Sequence, residues 1–342
     1  MLDCVYRLVS PHTFSPVETS LPVQSESDVV VRPTHLSICN ADMRYYLGRR
    51  SSDVLSKKLP MALIHEGIGR VIMDPTGTFR RGERVVMLPN APVETDPYIG
   101  ENYLRSSRFC GSGTDGFMQE YVSLPPSRII ALPDCVGDEV AAFTEMTSVA
   151  MHATSRFDAI AHGRRETIGV WGDGNLGFLV SLVLRVRYPR ARIVVVGLNR
   201  YKLDDFTFVD DALEADEVEG RLSVDHAFEC CGGAGSTSAI DQIIDCIRPE
   251  GTISLLGVSE NPVPINTRMV LEKGLRVFGS SRSGRADFQA VVDMYTEHPE
   301  AVEYLSALVG SVNGVRTVQD AVKAFEADTA KPMGKTIMEW NI

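Results

Sequence analysis

Four side chains among the first 145 positions, of types that bind metal ions or move protons, stand out: Cys39 in LSICNADMRYY, the adjacent His65 and Glu66 in ALIHEGIG, and Glu145 in AFTEMTSVAMHA. The pair at 65–66 stands between an apolar run and two glycines. An unsatisfied buried polar group costs roughly 1–3 kcal/mol and an unpaired charge more, so the segment calls for partners. One thiolate, one imidazole and carboxylates can hold zinc tetrahedrally with an exchangeable position, and zinc is a Lewis acid that keeps its own redox state. Each residue also has a plainer role: a buried cysteine packs like a small apolar group, an isolated histidine is a satisfied core residue, and Glu145 suits a first helical turn.

A second pattern supplies the chemistry such a metal would assist. Residues 168–178 read IGVWGDGNLGF, an apolar strand followed by Gly172, Gly174 and Gly177 in G-x-G-x-x-G spacing, with Asn175 and Leu176 between the last two, and then the apolar helix face FLVSLVLRV. In that context the first glycine makes the tight turn, the second lets pyrophosphate approach the backbone, and the third packs helix against strand. The next strand, ARIVVVGLNRYK, ends in Gly197, followed by Arg200 and Lys202. An NAD site normally ends this strand with an acid for the ribose 2′-hydroxyl. A glycine leaves room for a 2′-phosphate and a guanidinium can bind one through a fork of hydrogen bonds, so NADPH is the expected cofactor, although Asp204 and Asp205 dilute the local charge.

The elements that must position these residues fall into two kinds. Up to about residue 150 the chain reads as short strands divided by Gly and Pro, as in GIGRVIMDPTGTFRRGERVVMLP. From Thr144 to Phe157 the spacing of Met146, Val149, Ala150 and Ala153 is helical, and from Glu166 strands (TIGVWG, ARIVVVG, VDHAFEC, GTISLLG, RVFGS) alternate with helices, the pattern of a parallel sheet covered on both faces. ADFQAVVDMYTEHPEAVEYLSALV reads as one long amphipathic stretch, and KPMGKTIMEWNI as a last strand returning to the first domain. The expected fold class is α/β, with two domains in 342 residues. A net charge of −11 argues against nucleic-acid and polybasic membrane-surface binding. Seven scattered cysteines without a CxxC pair suit reduced thiols, and no signal peptide or continuous membrane span is read, so a cytoplasmic protein is expected.

ICNAD, HEGIG, TE before a helix, GDGNLG, DHAFECCGG and LLGVS, in that order, resemble the zinc-dependent medium-chain dehydrogenase/reductase superfamily. LPMALIHEGIG, DGFMQEYV, GVWGDGNLG, VLEKGL and GSSRSG are similar, more narrowly, to its NADPH-dependent ribulose-5-phosphate reductases, which make ribitol 5-phosphate for teichoic-acid or capsule synthesis. The resemblance implies a GroES-like, mostly β catalytic domain over 1–150, completed by 285–342, and a Rossmann NADP-binding domain over 151–284. It implies one catalytic zinc per chain on Cys39, His65, Glu66 and Glu145, with Glu145 or Glu66 exchanging with water, and Gly257 and Val258 of LLGV along the nicotinamide. Two features depart from many relatives. The loop from about Pro89 to Gly113 holds only Cys110, not the four cysteines of a structural zinc lobe. Ala41 stands where a proton-relay Ser or Thr is common, so proton delivery needs water on the metal with Glu66, or the substrate's own hydroxyls; Asp42 remains, with helix capping as its plainer role.

A phosphorylated pentulose requires cations, and Arg44 and Arg282 are the first candidates, with Lys57 and then Lys58 behind them. A homodimer through an edge strand near 265–280 and a ribitol-phosphate cytidylyltransferase as pathway partner are further implications of the resemblance. Two rival readings are a dehydrogenase of unphosphorylated polyols and a non-catalytic relative that binds NADPH; phosphate dependence and metal content discriminate them.

Overall fold

The protein is described by a computed structural model that covers residues 2–21, 25–331 and 333–342; Pro332, in the C-terminal stretch read above, lies outside the described residues. The chain divides into two compact units, Met1–Glu145 with Ser283–Ile342, and Met146–Arg282. The division falls just after the start of the helix Thr144–Ile160, leaving Glu145 in the first unit.

In the first unit a three-stranded sheet joins Thr13–Ser20, Leu2–Ser10 and Met61–Ala62. A seven-stranded sheet runs in the order Ile129–Ala131, Arg84–Met87, Glu66–Met73, Val29–Ser37, Lys335–Trp340 and Val309–Val315, with Val122–Leu124 also paired to Val29–Ser37. Buried apolar side chains such as Val29, Val31, Leu36, Val71 and Met338 form its core. The register sets Ser37 opposite both Glu66 and Ile337. Side chains alternate across a strand, so Lys335 shares the face of Ile337 and is carried toward Glu66 although 269 positions separate them. The long amphipathic stretch is not one element. It breaks into helices Arg285–Glu297 and Pro299–Ser306, because Pro299 lacks the N–H and clashes with the preceding turn, which fits it only to start a helix.

The second unit is one six-stranded parallel sheet in the order Asp211–Glu214, Arg192–Gly197, Thr167–Trp171, Val224–Glu229, Ile247–Leu255, Arg276–Gly279. This 3-2-1-4-5-6 order is the Rossmann arrangement, with its crevice where the order reverses, outside the carboxyl ends of Thr167–Trp171 and Val224–Glu229. The central strands are buried on both faces, as their Val/Ile runs require. Among the described residues, no helix is long and apolar enough to cross a membrane.

Candidate active site

Cys39 is the N-cap of the helix Asn40–Tyr46, in extended conformation (φ −114°, ψ 155°). Asp42, at the third helical position, reaches back: its Oδ2 accepts the Cys39 N–H at 3.1 Å, which is its capping role. Its Oδ1 accepts the Ile64 N–H at 3.0 Å and lies 3.6 Å from His65 Nδ1. Ile64 has φ 70°, a left-handed conformation that a β-branched residue enters only under constraint. Asp42 on its N–H and the Phe117 N–H on its carbonyl at 2.7 Å supply that constraint, and the turn aims His65 into the site.

The side chains expected from the sequence come together around His65. Ligand atoms of Cys39, Asp42 and His65 lie within 4.8 Å of one another, as do those of His65, Glu66 and Glu145. Sulfur, imidazole nitrogen and carboxylate oxygen at this spacing are a donor set that fits zinc. Electrostatics point the same way. Burial pushes the Cys39 thiol up, with the Glu66 carboxylate adding to it. Burial alone would lower His65, but the Asp42 charge, with Cys39, holds it well above the ordinary imidazole range. Burial pushes the Glu145 carboxyl up to about 7 against the pull of His65. Without a metal these groups keep protons that a divalent cation displaces.

Lys335 belongs to this site and was missed in the sequence. It is buried, donates from Nζ to Glu66 Oε1 at 2.9 Å, and holds Oε2 at 2.8 Å. Its own burial would lower its pKa, but the Glu66 charge outweighs that, and the ammonium persists. The only sequence signal was a lysine heading the apolar strand KTIMEW. Cys110 is not among the groups at ligand spacing from His65, although the His65 charge reaches it; burial pushes its thiol up to about 11. The 89–113 loop is fastened by Glu101, which accepts from Arg128 at 2.8 and 3.0 Å and from the Arg285 N–H at 2.7 Å, and among the described residues the metal-competent groups are the two that share His65.

In the second unit, the glycine turn suits pyrophosphate. A Cβ at position 177 would stand 1.9 Å from the Gly172 carbonyl oxygen, so only glycine lets the helix Asn175–Arg187 start there, whereas a Cβ at 174 meets open space. Asn175 and Leu176 open that helix, and a helix N-terminus is the end whose dipole favours an anion. One expectation is corrected. The space over Gly197 is not left for a 2′-phosphate: a Cβ there would lie 2.6 Å from Asp173 Cβ, because the Asp173 side chain fills it. Arg200 is exposed, donating from Nε to Asp204 and from Nη1 to the Ala212 carbonyl, both at 2.9 Å, and Lys202 lies beside the Tyr201 ring.

Glu229, at the end of its strand, was also missed. Oε1 accepts the N–H groups of Cys231 and Gly232 and the Ser236 hydroxyl, each at 3.0 Å, and Oε2 accepts the Gly257 N–H at 3.0 Å. One buried carboxylate therefore ties the turn after its own strand to the turn that presents Gly257 and the exposed Val258. An acid closing the apolar run VDHAFE was the available signal.

The cations expected for the substrate phosphate belong to both units of the chain. Arg44 lies in the last turn of the helix that Cys39 caps. Lys57 is exposed and paired with Asp53 of its own helix at 2.9 Å, and Lys58 donates to the Ser112 carbonyl. Arg282 ends the second unit, with φ 58°.

Comparison with known proteins agrees with this geometry. Residues 25–134 match the alcohol dehydrogenase GroES-like domain and residues 205–297 the zinc-binding dehydrogenase family. The chain is 55% identical over 342 residues to a ribulose-5-phosphate reductase of Bacillus spizizenii, covering 100% of both, and 49% identical over 340 residues to ribulose-5-phosphate reductase 1 of Staphylococcus aureus, covering 99% of both. The crystal structure of S. aureus TarJ in complex with NADPH superposes with a TM-score of 0.89 at 45% identity, over 100% of both chains.

Proposed function

The chain belongs to the zinc-binding dehydrogenases of the medium-chain dehydrogenase/reductase superfamily, and on that premise we propose that it is a ribulose-5-phosphate reductase, converting D-ribulose 5-phosphate to D-ribitol 5-phosphate with NADPH. The observation that carries this reading is the end-to-end match to the Bacillus spizizenii reductase. When bound, zinc supplies Lewis-acid polarisation of a carbonyl oxygen and NADPH supplies the hydride. Cys39, His65, Glu66 and Glu145 would hold the ion, and the Lys335 contact makes Glu66 the carboxylate most readily exchanged. Asp42 fixes the backbone before His65 and faces its Nδ1, orienting the imidazole. Ala41 offers no hydroxyl, and the Lys335 ammonium on Glu66 is a buried proton-bearing group beside the ligands. Gly172, Gly174 and Gly177 with Asn175 and Leu176 receive the pyrophosphate, Arg200 and Lys202 the 2′-phosphate, and Gly257 and Val258 the nicotinamide. Arg44, Arg282 and Lys57 are the proposed cations for the substrate phosphate, of which Lys57 has the weakest support because Asp53 neutralises it in solvent.

In the same reading the protein is a cytoplasmic homodimer feeding teichoic-acid or capsule synthesis, with a ribitol-phosphate cytidylyltransferase consuming its product. The edge position of Arg276–Gly279, with Val277 exposed, supports pairing with a second copy there. The test is nicotinamide absorbance after mixing the zinc-loaded protein with NADPH and D-ribulose 5-phosphate, with NADH and unphosphorylated ribulose in parallel. Rapid oxidation confined to NADPH and the phosphate ester is expected. Turnover of free pentulose at the same rate would favour a polyol dehydrogenase, and no turnover of any phosphorylated pentulose would remove the reductase reading.

A further inference from the structure

The Asp173 carboxylate stands over the end of the strand Arg192–Gly197, the place where an NAD site ordinarily carries its ribose-binding acid. Here the acid comes from the neighbouring glycine turn. Its Oδ2 accepts the N–H groups of Leu198 at 2.9 Å and Asn199 at 2.8 Å and the Asn199 side-chain amide at 2.9 Å. Three donors on one oxygen leave that atom little capacity for a ribose hydroxyl. Burial would raise the pKa of this carboxyl, but the Asn199 and Leu198 hydrogen bonds outweigh it, so the group stays ionised and committed to the backbone. Its Cβ, Cγ and Oδ2 stand 2.6, 3.0 and 3.0 Å from where a Cβ on residue 197 would be, distances that force a side chain there to displace Asp173. Arg200 and Lys202 follow directly on the turn that Asp173 fastens, in the helix Arg200–Leu203, whose first flanking residue is Asn199.

We propose that Asp173 is the specificity-determining residue of the cofactor site: it bars an acid from position 197 and fixes the 198–199 turn so that Arg200 and Lys202 meet the 2′-phosphate of NADPH. The glycine at 197 is then a consequence of Asp173, and cofactor preference is a property of the pair. This inference rests on the NADPH reading above, and its test separates the two.

The experiment measures NADPH and NADH dissociation constants by nicotinamide fluorescence on the full zinc-loaded protein and on four variants: Gly197→Asp, Asp173→Gly, the double Asp173→Gly/Gly197→Asp, and Asp173→Asn. Gly197→Asp is expected to lose both nucleotides, or to fail to accumulate as folded protein, since both follow from the steric conflict. The double should bind NADH at least about tenfold more tightly than Gly197→Asp, within the coupling expected of residues in contact, with its preference turned from NADPH to NADH. Asp173→Gly should weaken NADPH about tenfold, whereas Asp173→Asn, which keeps the shape and an acceptor oxygen, should stay within about threefold of the parent. Gly197→Asp binding NADH as well as the double, or Asp173→Gly keeping parental NADPH affinity, would overturn the proposal. Equal parental affinity for the two cofactors would instead remove the NADPH reading, while the coupling between 173 and 197 would still be read from NADH.

Discussion

The candidate metal site and the cofactor crevice both depend on carboxylates withdrawn from solvent, but they put them to different uses. Around His65 the acids face ionisable side chains: Glu66 meets Lys335, Asp42 meets His65 while also holding the Cys39 and Ile64 N–H groups, and Glu145 is pushed up to about 7 by burial. At the carboxyl edge of the parallel sheet the acids face the backbone: Asp173 takes the Leu198 and Asn199 N–H groups, and Glu229 those of Cys231, Gly232 and Gly257. A metal site needs charge that can change hands, so its acids are paired with groups that can be exchanged. A nucleotide site needs turns that do not move, so its acids are spent on N–H donors. Loss of an acid or its partner should therefore disturb charge in one region and geometry in the other.

The largest expected effect tests the first half of that contrast. Lys335→Met leaves Glu66 buried without its cation, and such a break costs about 3–5 kcal/mol, to be read from urea unfolding; Lys335→Met with Glu66→Met should recover much of the loss. If the single variant unfolds like the parent, the pair is not what holds Glu66.

Next, His65→Ala should reduce zinc affinity by more than about 100-fold, since outer partners of metal ligands alone account for about 10- to 100-fold, while NADPH binding persists. Metal analysis and nicotinamide fluorescence on one sample separate the two. In the unmutated protein, zinc uptake by the stripped form should weaken as pH falls below about 7, where Glu145 takes up a proton that the metal must displace.

Glu229→Gln is expected to act on geometry. The amide keeps one acceptor oxygen but turns an N–H₂ toward donors, and a buried mismatch of about 1–3 kcal/mol corresponds to roughly a tenfold rise in KM for NADPH, with kcat and zinc content little changed. A fall in kcat at unchanged KM would contradict the positioning role.

The smallest effect near neutral pH concerns His226, on the central strand Val224–Glu229. It accepts the Thr252 N–H at Nδ1 (3.2 Å) and donates from Nε2 to the Arg164 carbonyl (2.9 Å). Burial, with His162 beside it, lowers its pKa to about 4. The unfolded chain binds a proton there near pH 6.5 and the folded chain does not until about pH 4. Stability should thus be lost as pH falls between those values, by less than about 1 kcal/mol at pH 6, and be indifferent to this group above pH 7. His226→Gln should flatten the unfolding midpoint over that window; an unchanged slope would assign the loss to other groups.

Much of this protein is legible in one dimension. The glycines at 172, 174 and 177 sit within six positions of one another, so the turn they make is local and the strand–turn–helix follows from spacing. The alternation of Val/Ile runs with helices likewise fixes a parallel sheet, and Cys39, His65, Glu66 and Glu145 are of residue types that can hold a metal. Pro299 was equally visible, but amphipathic spacing on both sides masked the break that its missing N–H imposes.

What the tertiary structure alone decided is which distant group each local one meets. Lys335 reaches Glu66 because strand register brings the last strand to the third, and Glu229 reaches Gly257 because two parallel strands end side by side. Gly197 looked like space for a ligand, and only the folded turn shows Asp173 filling it. The physical reason is range: dihedral preference and periodicity act over a few residues, whereas a buried charge is satisfied by whatever the packing of the whole chain brings within about 3 Å.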